Sequence, residues 1–446
     1  MGVLANRGYR HLFLAQLVAL LGTGLATIAL GLLAYDLAGA DAGVVLGAAL
    51  ALKMVAYVVL APVVTALADR LPRRAFMVGM DVVRCGVALM LPFVTEVWQV
   101  YVLILVLQAA SAAFTPTFQA TIPLLLPDEE DYTRALSLSR LAYDLESITS
   151  PALAAALLTL VDYNWLFTGT SIGFAASALL VLTVLLPKPD LTEGRGGVFD
   201  RTTRGVRIYL ATPRLRAMLG LNLAAAAAGS MVLVNTVVLV RDEFGRTNTA
   251  VAVTLGAFGL GSMAAALALP RLLVNVPDRK VMLTASGGLV GVLALAAVLL
   301  AGTSLGWPVV LVSWLLLGTA YSMVLTPVGR LIRRSASPAD LSTLFAAQFA
   351  ISHAGWLITY LLAGFLGSFA GMPVTMLVLG AITLGGVLQA RATWPANDVE
   401  TLDHVHDNLN DDHPHLHDAI PHHQGWRHEH TYVIDHIHRR WPANHE

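Results

Sequence analysis

Twelve of the fourteen histidines in the chain fall after residue 400, and they come in pairs. The pairs are His404-x-His406, His413-Pro-His415-x-His417, His422-His423, His428-x-His430 and His436-x-His438, with Asp403, Asp407, Asp411, Asp412, Asp418 and Asp435 set among them. Residues two apart in an extended chain project to one side, so each His-x-His pair is expected to hold one ion. Imidazole and carboxylate without thiol suit borderline divalent ions (nickel, cobalt, zinc, copper(II)) rather than copper(I). Proline and acid disfavour a helix, and the tail, 393–446, is expected to lack order without metal. The competing reading is a solvated acidic or pH-responsive extension. Net negative charge argues against a nucleic-acid partner. Trp394-Pro-Ala-Asn397 recurs as Trp441-Pro-Ala-Asn444 and brackets the histidines, which with Tyr432-Val-Ile434 suggests that the tail's end docks on something.

A second set of chemically capable residues sits inside long apolar runs. Lys53 is one of only three lysines. Asp144 and Glu146 stand in Arg140-Leu-Ala-Tyr-Asp144-Leu-Glu146, and His353 stands near Gln348 and Trp356. A charge at mid-membrane costs about 2.5–3.5 kcal/mol on insertion scales, so such residues need a partner or a wet cavity. Arg140 and Asp144 are four apart and able to pair. Two residues apart on a helix, Asp144 and Glu146 face away from each other, which leaves Glu146 for the cavity. Glu146 and His353 each fall about 15 Å from one end of their spans, half of a core of roughly 30 Å. Lys53 either neutralises one of these carboxylates or couples protons or substrate, and His353 is either a ligand or a hydrogen-bonded core residue. Asn222, Asn235, Gln108 and Ser111 line the same cavity, or else bond helix to helix.

The elements that position these residues follow from hydropathy. Hydrophobic residues make up 56% of the chain and charged residues 13%, against about 25% charged in soluble domains. Twelve runs are long enough to span a bilayer as helices: 11–35, 44–68, 76–95, 98–121, 136–160, 164–186, 216–240, 249–270, 281–301, 307–328, 342–366 and 373–391. The start imitates a signal peptide, but the many later spans make it a retained first span. Arg7, Arg10, Arg70, Arg73, Arg74, Arg134, Lys188, Arg207, Arg279, Lys280, Arg330, Arg333 and Arg334 all fall in loops on one side, which places both termini in the cytoplasm. The net charge of −1 hides a basic body and a tail with ten acidic residues against three arginines. The single cysteine, Cys85, allows no intrachain disulfide and so marks no compartment.

The longest same-side connection divides the chain into an N-terminal half, 1–187, a linker, 188–215, a C-terminal half, 216–392, and the tail. Val198–Leu215 is expected to form an interfacial helix or a plain loop. The halves echo each other: Thr115-Pro116 and Pro127 repeat as Thr326-Pro327 and Pro338, and Arg73-Arg74 after span two repeats as Arg279-Lys280 after span eight. Such symmetry is expected of two-half transporters. No Gly-x-x-x-x-Gly-Lys-Ser/Thr phosphate loop is present, so a gradient, of protons, is expected to supply the energy.

Thr65-Ala-Leu-Ala-Asp69-Arg70-Leu-Pro-Arg73-Arg74, followed by Asp81 and Arg84, resembles the signature loop of the major facilitator superfamily, with Thr65 and Pro72 in place of its two glycines. Ala113-Phe-Thr-Pro116 through Pro127 and Tyr209-Leu-Ala-Thr-Pro213-Arg-Leu-Arg216 resemble the branch that exports siderophores and drugs. The tail and Tyr132–Glu146 resemble bacterial nickel-resistance exporters of the NreB and NrsD type. The resemblance covers residues 1–392 and implies an all-α membrane fold of twelve helices in two six-helix halves. It implies a gate at Asp69, Arg70, Arg73, Arg74, Asp81 and Arg84. It further implies a monomeric carrier, not an enzyme, that needs no cofactor and sits in the bacterial inner membrane. Export of nickel or cobalt by proton antiport is the expected function. Efflux of an organic molecule is the alternative, and a membrane metal sensor that transports nothing is an alternative of another class.

Overall fold

The computed structural model describes residues 2–38, 42–68, 71–186, 198–302 and 306–398, and within the tail 401–406, 409, 414–417, 419–423, 425–434, 437–438 and 441. Among these residues ten helices are long and apolar enough to cross a membrane. The first half contains α1 (Arg7–Ala38), α2 (Ala42–Val55), α3 (Ala61–Ala68), α4 (Arg73–Met90), α5 (Val97–Leu125), α6 (Glu129–Leu157) and α7 (Asn164–Leu182). After the connecting α8 (Val198–Ala211) come α9 (Pro213–Val238), α10 (Asn248–Asn275), α11 (Asp278–Gly302), α12 (Trp307–Leu325), α13 (Val328–Arg334), α14 (Leu341–Phe369) and α15 (Met372–Thr393). Two spans fall outside the ten for physical reasons. The second is α2 and α3 joined by a π-helical segment, Ala56–Leu60. Pro62 lies just beyond and cannot donate to Val58, which unseats the regular ladder there. The fifth is α6, which carries Arg134, Arg140, Asp144 and Glu146 and is too charged to score as apolar. With these two the chain has twelve spans in two six-helix halves, the arrangement expected from hydropathy.

Local sequence explains the helix starts. Asp128 caps α6, its side chain accepting from Asp131 N at 2.9 Å, and Glu129, Glu130 and Asp131 fill the first turn, where the helix dipole favours negative charge. Thr212 and Pro213 open α9 with proline in its first turn. In α5, Pro116 does not end the span, contrary to the proline echo: the helix runs on to Leu125. Pro327 does interrupt its span, separating α12 from α13. Both prolines are buried and each removes one backbone bond; the helix continues through the first and is interrupted at the second.

The core divides between the halves. The C-terminal half packs around Met218, Leu289, Trp314, Leu344 and Leu379, and the N-terminal half around Leu166, Phe167 and Phe174 at one end and Tyr9, Leu12 and Phe118 at the other. Small residues let α1 and α7 touch: a Cβ on Gly173 would sit 2.7 Å from Val18 O, and Thr170 Oγ1 donates to Gly22 O at 2.8 Å. The helix α8 packs on α14 and α3, with Ile208 and Tyr209 buried and Arg204 paired to Asp340 at the start of α14. Val198–Ala211 is helical rather than a plain loop, and Pro213–Leu215 already belong to α9; residues 192–197 lie outside those described.

The described tail residues form three antiparallel strands, β1 (Thr401–His406), β2 (Ile420–His422) and β3 (Gly425–Thr431), in the order β1-β3-β2. The strands pair His404 with His428 and Leu402 with His430 across the ladder.

Candidate functional site

Three groups of residues could carry function. The first lies within the spans. Asp144 pairs with Arg140 at 2.7 Å and accepts from Ser262 Oγ of α10 at 2.6 Å, while Arg140 Nε donates to the same oxygen at 3.1 Å. Arg140 also stacks over Tyr321, 4.8 Å from the ring centre. Asp144 thus belongs to a buried joint between the halves. Glu146, two residues on, lies against Gly24 of α1, where any Cβ would strike it. Lys53 interacts electrostatically with both Glu146 and His353 and sits over Tyr57 at 5.6 Å. No direct contact joins Glu146 to His353 among the described residues, though the charge of Lys53 acts on both.

His353 is sandwiched by aromatics, edge-on to Tyr57 at 4.7 Å and tilted on Phe349 at 4.2 Å. Its Nδ1 donates to Phe349 O at 2.7 Å, which leaves Nε2 as the lone-pair nitrogen. Phe349, His353, Trp356 and Tyr360 fall at i, i+4, i+7 and i+11, a single face of α14. The sequence reading singled out His353 and Trp356 and missed Phe349, Tyr360 and Tyr57, although the spacing alone would have grouped those on α14. Asn222 and Asn235 take the alternative weighed for them. Asn222 exchanges bonds with Gln348 at 3.0 Å and meets Tyr209 at 3.2 Å, and Asn235 donates to Ala363 O at 3.2 Å. Both are buried, because an amide between helices finds its partners only there. Gln108 accepts from Tyr57 at 2.9 Å, and Ser111 bonds back to Leu107 of its own helix.

The second group lies at the end of the bundle that carries both termini. Asp69 and Arg70 lie outside the described residues. Arg73 and Arg74 open α4. Asp81 and Arg84 pair with each other inside α4, with Ser177 donating to Asp81 at 2.8 Å and the guanidinium between Phe114 and Phe174. That pair ties α4 to α5 and α7 of its own half. The bridge between halves involves Arg330 and Arg333, which by sequence are loop charges. Arg330 of α13 reaches Glu129 at 2.6 Å and Thr133 at 2.7 Å on α6, and Asp278 at 3.3 Å within its own half. Arg334 holds the other Asp278 oxygen at 2.9 Å, and Arg333 donates to Pro127 O. The echo of charges between the halves gives no signal of this bridge, because Asp278 pairs within its own half.

The third group is the tail. Successive residues of a strand alternate between faces, so His404 and His406 of β1 and His428 and His430 of β3 share one face. Asp403 and Arg427 pair on the other, at 2.8 and 3.0 Å. His415 joins from the turn Pro414–Leu416. One ligand nitrogen from each of these five histidines lies within 4.8 Å of all the others. His438 adds a sixth, its Nε2 3.0 Å from that of His404. Burial, then the neighbouring imidazoles, push His404 and His415 down to about 4, which keeps them in the neutral, ligating form at neutral pH. His417, His422 and His423 are exposed, with His422 and His423 edge-on to each other at 5.9 Å, and His413 and His436 lie outside the described residues.

The tail is fastened to the bundle. Tyr432 and Ile434 are buried in the C-terminal core beside Trp394, and Tyr432 packs on Trp441 at 5.1 Å. Trp441 lies over Arg214 at 5.3 Å, and Arg214, only 1% exposed, faces Asp398 at 3.7 Å. The tryptophan repeat that brackets the histidines therefore closes onto the first turn of α9.

Two related helical halves, a joint of buried charge and a set of bridges at one end define a multi-pass membrane transporter. The family model described as Major Facilitator Superfamily matches residues 12–228 and 217–404, and the chain belongs to that superfamily. It is 29% identical over 153 residues to macrolide efflux protein A of Enterococcus faecalis, a match covering 32% of this chain and 47% of that protein. The chain thus spans about half the length of this curated relative. Its fold is similar to the human organic anion transporter MFSD10 (TM-score 0.72, 15% identity, 86% of this chain and 99% of that one). It is also similar to a bacterial homologue of the iron transporter ferroportin in its outward-facing state (TM-score 0.70, 16% identity, 86% and 98%).

Proposed function

We propose that this transporter exports a divalent transition metal, nickel first and cobalt second, from the cytoplasm of a bacterial cell by proton antiport. The observation that carries the reading is the convergence of five histidines within 4.8 Å on a tail fastened to the bundle. That side is taken as cytoplasmic from the loop arginines and lysines, with the protein in the inner membrane and working as a monomer. Glu146 and the Nε2 of His353 are the proposed mid-membrane ligands, with Lys53 as the charge that replaces the ion when the site empties. Because protonation and metal compete for one imidazole nitrogen, exchange of the two gives antiport a simple basis. The pair Asp144–Arg140 is assigned to the joint, and Arg73 and Arg74, with Asp69 and Arg70, to a gating loop. The tail gathers metal at the entrance.

A second reading, efflux of an organic molecule, is favoured by the aromatic face of α14 beside Lys53 and by the similarity to a macrolide efflux protein. Everted membrane vesicles energised with a proton gradient separate the two. Metal export requires gradient-driven accumulation of nickel that survives, at high nickel, truncation after Pro395. Accumulation of a macrolide with no movement of nickel or cobalt would overturn it. Metal bound through the tail without flux of either substrate would point to a sensor.

A further inference from the structure

The sequence makes each His-x-His pair a separate chelate, but the strands bring the pairs to one point. His404 Nε2 lies 3.0 Å from Nε2 of His406 and 3.0 Å from Nε2 of His438. Its other nitrogen, Nδ1, lies 3.1 Å from Leu402 O. A carbonyl can only accept, so the proton is on Nδ1 and Nε2 presents a lone pair to two further nitrogens. His430 repeats the pattern: Nδ1 donates to Thr431 O at 2.7 Å, and its buried Nε2 has no hydrogen-bond partner. A ring nitrogen donating to a backbone carbonyl while the other faces inward is how proteins prepare histidine for a metal.

The spacing adds a coordination number. With metal–nitrogen bonds of about 2.1 Å, neighbouring nitrogens stand about 3.0 Å apart in an octahedron and about 3.4 Å in a tetrahedron. The two closest separations here are 3.0 Å. The largest spread among the five clustered nitrogens, 4.8 Å, exceeds the octahedral diagonal of about 4.2 Å by little enough for side-chain rotation to close.

We propose that His404, His406, His415, His428, His430 and His438 form one six-nitrogen site for a single divalent ion that accepts six imidazoles, nickel(II) or cobalt(II) before zinc(II). The remaining tail histidines, His417, His422 and His423 among them, are at most weak secondary ligands. This rests on the reading of the tail as a metal binder, but it concerns binding and not flux, so it can fail while export stands.

The test uses the full-length protein in detergent with nickel alone. Calorimetric titration is expected to give one tight equivalent, and X-ray absorption at the nickel edge six nitrogen neighbours. Single changes His404→Ala, His415→Ala and His430→Ala should each weaken that same equivalent at least tenfold. The double change His422→Ala with His423→Ala should leave it within twofold. Several equivalents of similar affinity, each lost with its own pair, would overturn the proposal, as would four-coordinate nickel in the wild-type chain. The absorption measurement on the unaltered protein keeps the test decisive even where a substitution loosens the strands.

Discussion

Replacing Arg330 with glutamine should loosen the bridge that holds the two halves together at the terminal end. Arg330 is 12% exposed and Glu129 50%, so their ion pair is largely screened and is worth about 0.2–1 kcal/mol. The bond from the guanidinium to Thr133 Oγ1, at 2.7 Å, is charge-assisted and worth about 1.5–3 kcal/mol. The contact with Asp278 lies within one half and drops out of the difference between open and closed arrangements; Asp278 also keeps Arg334. The inter-half loss is therefore about 2–4 kcal/mol. At 1.4 kcal/mol per tenfold, the closed-to-open ratio at this end should fall by about 30- to 700-fold. A population about 99% closed would become about three-quarters closed at the low end and mostly open at the high end. Spin labels at exposed Leu71 and Lys280, in a background with Cys85 replaced, would report the separation of the ends by dipolar spectroscopy. The variant should add a longer-distance population that Lys280 labels paired within one half do not show. An unchanged distribution would refute the assignment of Arg330 as a bridge and return these residues to simple anchoring by positive loop charge.

Three further outcomes are expected. Glu146→Gln and His353→Ala, at matched expression, should each lower metal flux at least tenfold and shift its pH dependence; normal flux in both would remove them from the site even if export survives. Asp144→Asn strands the half-buried Arg140 guanidinium beside Ser262 and should cost about 3–5 kcal/mol at most, whereas Ser262→Ala should cost about 1.5–3 kcal/mol; thermal unfolding in detergent gives the order. Gly173→Ala forces α7 away from Val18 O and should cost about 1–3 kcal/mol, while Gly86→Ala, where a Cβ meets open space, should leave the unfolding temperature unchanged.

Much of the fold was legible because a span is a local property. Length and apolarity placed all twelve spans, most to within five residues, but α6 begins at Glu129, seven residues before the expected 136, because its charged first turns carry no apolar signal. Asp144 and Arg140 were legible as partners because four residues make one helical turn. What distant segments do to each other was not. His404 and His428 are 24 residues apart, and a one-residue slip in their strands would turn every histidine to the opposite face; nothing in the pair spacing reports that register. Glu129 and Arg330 look like ordinary loop charges until the halves close. Asn222 and Gln348 reveal themselves as a buried bonded pair only when α9 and α14 lie side by side. The two Thr-Pro pairs read alike in sequence, yet only Pro327 breaks its helix.

The fastening of the tail through Tyr432, Trp441 and Arg214 has a thermodynamic consequence. Ion and bundle both order the same segment, so its chain entropy is given up once and serves two binding events. Whatever factor the ion adds to docking, docking must return to the ion. An excised tail peptide should therefore hold nickel more weakly than the same residues in the intact carrier. Any rearrangement at the first turn of α9 would then be readable from outside the membrane as a change in the metal's dissociation constant.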